Sequence, residues 1–111
     1  MKIAFCAVEG SIESLLSRQF GRSNFFIFYD TNLNTYSILP NPICNSVGGA
    51  GIQTAQFIIS QNVDVVVSGK IGDNAVRFLK LANINIITDC SGKVKEIIPN
   101  LRLDNINKIG A

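Results

Sequence analysis

Asp64-Val65-Val66-Val67-Ser68-Gly69-Lys70-Ile71-Gly72-Asp73 is the stretch that decides the fold. Three consecutive valines between polar residues read as a strand buried on both faces, because β-branched side chains suit a pleated ladder and an unbroken apolar run leaves no face for solvent. Two glycines then turn the chain. From about Asp73 to Ala82 the spacing is that of a helix, with Asp73 favourable to the positive end of its dipole and Asn83 suited to cap its far end. A doubly buried strand followed at once by a helix is the unit of a parallel α/β sheet.

The segment upstream repeats the theme. Gly48-Gly49-Ala50-Gly51-Ile52-Gln53 follows a polar, Pro-containing loop from Asn41 to Val47. It opens a helix with Ile52, Ala55, Ile58 and Ile59 on one side, which Asn62 can end in a left-handed cap. Glycines this dense imply positive φ or a partner pressed against the backbone. The first turn of the following helix has N–H groups without intrahelical acceptors, a setting for an anion. A Walker A loop is excluded, since Ile52 and Gln53 stand where Lys and Ser or Thr are required. A dinucleotide fingerprint fits poorly, since Thr54 stands at the third glycine and a loop rather than a first strand precedes.

The other elements fall into place around these two units. Ile3 to Val8 reads as a central strand, and Phe25 to Asp30 with Tyr36 to Leu39 as a hairpin across Thr31-Asn32-Leu33-Asn34. Glu9 to Asn24 is a long connection, either a short helix through Ile12, Leu15 and Leu16 or a packed-down loop. Ile84 to Ile87 is another strand. Val94, Ile97, Ile98 and Leu101 have helical spacing that Pro99 should break or kink, and Leu103, Ile106 and Ile109 hint at a further turn or two in the tail. The order strand, strand, strand, helix, strand, helix, strand, helix predicts a mixed five-stranded sheet with helices on both faces. It also sends the loop after the first strand, the glycine stretch, Ser68 to Gly72 and Asp89 to Gly92 to one carboxyl edge, where open α/β sheets place ligands.

Composition narrows the function classes. The chain has 111 residues, 47% hydrophobic and 16% charged, which suits one globular domain over 1–111. A net charge of +2 with scattered basic residues argues against nucleic acid or a membrane surface as partner. The apolar start is too short to span a bilayer, so a cytoplasmic location is expected. Three widely spaced cysteines, Cys6, Cys44 and Cys90, suit neither a disulfide framework nor a zinc knuckle, and reduced thiols are expected.

Met1-Lys2-Ile3-Ala4, Phe20-Gly21-Arg22, Gly48-Gly49-Ala50-Gly51-Ile52-Gln53 with Ala55, and Val63-Asp64 leading to Gly69-Lys70-Ile71-Gly72-Asp73-Asn74-Ala75 together resemble the dinitrogenase iron–molybdenum cofactor-binding domains, the NifX and NifB C-terminal type. The resemblance covers nearly the whole chain. It implies a ribonuclease-H-like three-layer α/β/α fold, and a carrier of iron–molybdenum cofactor or a related iron–sulfur cluster, with a cluster-delivering or cluster-receiving protein as its partner. The family commonly has histidine before Phe-Gly-Arg, and here the residue is Gln19. The chain has no histidine at all, so direct ligands are limited to thiolate or oxygen.

Under that reading the cluster contacts are Gly48, Gly49, Ala50, Gly51 and Ile52 through their backbone, with Arg22, Gly69 and Lys70. Cys44 is the first candidate metal ligand and Cys90 the second, whereas Cys6 reads as core packing. The structural alternatives are a plain glycine-rich turn and surface cations. Without histidine there is no ordinary base for a serine or cysteine nucleophile, and the strand ends lack the carboxylates of a two-metal nuclease, so no enzyme is expected. The alternative function is a phosphate-type small-molecule binding or regulatory domain.

Overall fold

The computed structural model describes residues 1–43 and 50–101. Its sheet is built from Lys2–Ala7 (β1), Phe25–Asp30 (β2), Thr35–Pro40 (β3), Val65–Val67 (β4) and Asn85–Ile87 (β5), in the order β3-β2-β1-β4-β5. β1 pairs antiparallel with β2 and parallel with β4, and β4 pairs parallel with β5. This is the mixed sheet expected from the element order, and β1 and β4 lie side by side at its centre.

Period-two alternation divides the core into two layers. Ala4, Cys6, Phe26, Phe28 and Val66 face Ala50–Ser60 (α1) and Asp73–Leu81 (α2), where Ala55, Ile58, Ala75 and Leu79 complete one cluster. Ile3, Phe5, Ala7, Ile27, Val65 and Val67 face the other way, towards Val94–Ile97 (α3) and its Val94. The helices therefore cover both faces. The three valines of β4 are fully buried, as a strand inside a sandwich of helices must be.

Helix ends follow local chemistry. Asn62 and Asn83 adopt φ of 57° and 61°, the left-handed conformation that asparagine tolerates better than most residues. After α2 the N–H of Asn83 donates to Lys80 O at 3.0 Å and that of Ile84 to Leu79 O at 3.0 Å, and both Leu79 and Ile84 are buried. That is a Schellman end with its apolar contact. Pro99 stops α3, and Ile98–Asn100 continue as a 3-10 turn. Among the described residues no helix is long and apolar enough to cross a membrane.

The long connection after β1 is a packed loop rather than a helix. The serines explain the difference. Ser14 Oγ accepts the N–H groups of Val8 at 3.1 Å and Glu9 at 2.9 Å, and Ser23 Oγ donates to Phe20 O at 2.8 Å. These side chains satisfy backbone groups that a helix would otherwise claim. The tail segment beyond Leu101 lies outside the described residues.

Candidate functional site

Past the end of β1 the chain doubles back along it. Ala7 and Leu16 form an antiparallel bridge, and Ser17 N–H donates to Cys6 O at 2.7 Å. The same segment then meets the loop after β4. Gly69 N–H donates to Ser17 O at 2.9 Å, Lys70 N–H to Arg18 O at 2.7 Å, and Phe20 N–H to Lys70 O at 2.9 Å. On its other side Gly69 O accepts Thr88 Oγ1 at 2.9 Å and Asp89 N–H at 3.1 Å. Gly69 is thus the stitch that holds three carboxyl-edge loops together. A methyl there would lie 2.5 Å from Arg18 O and 2.6 Å from Ser17 O, closer than real side chains approach backbone.

This stitching brings Arg22 beside Lys70. The Phe20 ring is buried in the core cluster with Cys6 and Ala55, and the 3-10 turn Phe20–Arg22 puts the exposed Arg22 side chain at the protein surface. A cleft of about 370 Å³ opens there. Gln19, Phe20, Gly21 and Arg22 line one side, and Lys70, Gly72 and Gly51 line the rest. Gly51 is in the first turn of α1 and Gly72 is the N-cap of α2. Two helix starts therefore border one cleft.

Their electrostatics favour an anion. The first backbone bond recorded at the start of α2 runs from Val76 N–H to Gly72 O at 3.0 Å, and no side chain caps the N-terminus. The preceding N–H groups have no intrahelical acceptor. The first turn of α1 contains no acidic residue, and Asp73 of α2 does not line the cleft. Each helix adds a partial positive charge to that of the cations Arg22 and Lys70.

Space around the glycines separates their roles. Among the described residues, a methyl on Gly72 would meet nothing within 4 Å, and one on Gly51 would meet Ala75 Cβ at 3.8 Å, an ordinary contact. Gly72 has a φ of −67°, open to any residue. Packing requires glycine at Gly69 and not at these two.

The two described thiols lie on opposite faces of the sheet. Cys6 is fully buried, and burial pushes its thiol up to about 12, with Ser23 and Ser68 offsetting part of that shift. Among the described residues Ser68 Oγ is itself buried with no partner at hydrogen-bond geometry, so its approach to Cys6 is polar contact rather than a formed bond. Thr54 Oγ1, one turn below Gly51 on α1, is likewise buried without a partner among the described residues. Cys90 packs against the opposite, α3 layer and lines a different cleft with Lys93, Glu96 and Asn100. Among the described residues no three His, Cys, Asp or Glu side chains converge to hold a metal ion.

Of the residues nominated from sequence, Arg22, Gly51 and Lys70 meet at one cleft, and Ile52 is half-buried beside Gly51 in α1. The backbone of Ala50 begins that helix. Gly69 lies behind the cleft with its N–H already bonded to Ser17 O. Cys44, Gly48 and Gly49 lie outside the described residues. Gly72 and Gln19 were not nominated. Gly72 could have been found from its position directly before the acidic start of a helix, the place of an N-cap.

The fold and the cleft define a small α/β domain of ribonuclease-H-like type whose carboxyl-edge loops converge on two cations and two helix starts. Residues 1–103 match the family model described as dinitrogenase iron-molybdenum cofactor, and the chain belongs to that family. The chain is similar to the apo form of the orange protein from Desulfovibrio gigas, with 26% identity, a TM-score of 0.86, and coverage of 95% of this chain and 88% of that one. It is also similar to a NifB-like Thermotoga protein of the DUF35 family, with 28% identity, a TM-score of 0.74, and coverage of 88% and 84%. A third structure, PH0822, shares the fold at 23% identity and a TM-score of 0.78, with 97% and 92% covered. No curated protein matches the chain.

Proposed function

We propose that this protein binds an anionic metal–sulfur cluster, of the iron–molybdenum-cofactor or iron–sulfur type, and carries it without transforming it. The observation that supports this reading is the shared cleft of Arg22, Lys70, Gly51 and Gly72. Glycine inside a helix costs stability relative to alanine, and at Gly51 the fold has room for the methyl. A ligand approaching the backbone gives a reason for the glycine that packing does not.

The donor set suits such a cargo. The chain has no histidine, so the hold rests on backbone N–H groups and on charge-assisted bonds from Arg22 and Lys70. Cys6 stays a neutral thiol in the core, and Cys90 faces the other layer. Cys44, in the segment leading to Gly48 and Gly49, is the thiolate that would join the site. A cluster carrier also needs a delivering or receiving protein as partner. Catalysis is not proposed, since among the described residues no side chain at the cleft is an ordinary general base.

A phosphate-bearing small molecule is the second reading, because two helix starts and two cations suit phosphate as well. Anaerobic loading with iron and sulfide, and separately with isolated cofactor, tests the first. Retained metal and charge-transfer absorption are expected in the native protein and should fall markedly in Gly51→Ala and Lys70→Gln. A protein that stays colourless under both conditions, yet gains thermal stability with phosphorylated metabolites, is the second kind.

A further inference from the structure

We propose, building on the cargo reading above, that the groove beside the cleft is the docking surface for the partner that exchanges cargo, and that it takes an acidic segment carrying a large apolar side chain. A groove of about 390 Å³ is lined by Val8, Leu15, Leu16, Arg18, Gln19 and Arg22. Gln19 and Arg22 line the anion cleft too. An occupant of the groove therefore sits against the mouth of the cargo site.

The apolar part of this surface is imposed by the backbone. Ala7 and Leu16 are bridged and buried, so their neighbours Val8 and Leu15 alternate to the opposite side. Val8 N–H donates to Leu15 O at 3.2 Å, and Leu15 is bridged to Lys93 on its other flank. Leu15 is held from two sides and still leaves 58% of its surface in solvent, beside Val8 at 41%. Val8 and Leu15, held outward by backbone pairing, leave apolar contact area that an apolar anchor could cover.

Charge selects the partner. Among the described residues, Arg18 and Arg22 line the groove and no carboxylate does. The nearest acidic residues in sequence are Glu9 and Glu13, and Glu13 is turned towards Lys95 at 2.9 Å and Lys93 at 4.0 Å. A positive rim around an apolar centre complements an acidic segment with an apolar anchor, and such complementarity governs encounter rate and partner choice. The contact is small, as exchange requires, since a carrier that bound its partner tightly would not release it.

The probe is a fluorescein-labelled peptide of alternating glutamate and leucine, with glutamate–serine and lysine–leucine peptides as controls, followed by anisotropy at low and high salt. The protein is used without cargo, so failure of docking and failure of cluster binding are read separately. The glutamate–leucine peptide is expected to bind best, and Leu15→Ser and Arg18→Glu should each weaken it by about tenfold. Peptide-induced amide shifts should centre on Val8 and residues 15–19, with circular dichroism confirming that the variants fold. Equal binding of all three peptides, shifts centred elsewhere, or unchanged affinity in folded Leu15→Ser overturns the proposal. So does self-association in ultracentrifugation that Leu15→Ser abolishes, because the occupant would then be a second copy of this chain.

Discussion

A methyl added at Gly69 would lie 2.5 Å from the carbonyl oxygen of Arg18, while one added at Gly72, in the same short loop, would meet nothing within 4 Å among the described residues. The first glycine is where two backbones touch, and its N–H and C=O are both used inside the protein. The second caps a helix and borders the cleft. Residue type alone gives them one explanation, and the structure gives two. Glycines that packing requires and glycines that it does not can therefore be told apart by what a side chain would strike.

The largest effect separating the two is expected from Gly69→Ala. Forcing the Ser17–Arg18 backbone away should cost about 2–3 kcal/mol in urea unfolding, and stability within experimental scatter of native would mean the loops are not clamped there. Cys6 belongs to the same interior side of the comparison. Its folded value of about 12 stands above the ordinary 9.0, so the folded thiol keeps its proton where the unfolded chain loses it. That contribution is complete below pH 9.0, shrinks as pH rises and is gone above about 12. Stability should fall across this alkaline window in native protein and fall less in Cys6→Ala, and native Cys6 should resist alkylation until the protein unfolds.

The access side predicts an opposite sign. Gly51→Ala should stabilise the apoprotein by about 0.5–1 kcal/mol, by removing glycine from a helix, while reducing retained cargo. Gly72→Ala should shift stability by less than about 0.5 kcal/mol and likewise reduce loading. If either variant loads as native, that glycine does not contact the ligand. The smallest effect is expected at Glu13→Gln. Lys95 holds the Glu13 carboxyl below the usual range through a hydrogen bond and its charge, but both side chains are exposed, and unfolding curves should be indistinguishable.

Much of the architecture was legible because it is local. The valines of β4, the hairpin of β2 and β3, Asn62 and Asn83 as left-handed caps and the break at Pro99 each depend on residues close in sequence. The loop after β1 was legible only as a pair of alternatives, since serine side chains bonding to backbone leave no period to read. The meeting of Gln19 with Lys70 is a long-range bridge, and no pattern near either residue announces it. The element order already sent the loops of Arg22 and Lys70 to one carboxyl edge, where they share a cleft, whereas the part Gly72 and Gln19 take in it and the groove at Leu15 emerged only from the fold.

The bridge between Gln19 and Lys70 also has a kinetic meaning. Phe20 N–H, Gly69 N–H and Lys70 N–H are bonded across segments that are distant in sequence, and such loops close late because ordering them costs entropy before contacts compensate. The cargo site should then be among the last parts of the molecule to form and among the first to open. Hydrogen exchange at Phe20, Gly69 and Lys70 should report one shared opening event, at lower free energy than exchange from β1 and β4. Under the proposed function, release of cargo would proceed through that local opening, with the two-layered core left intact.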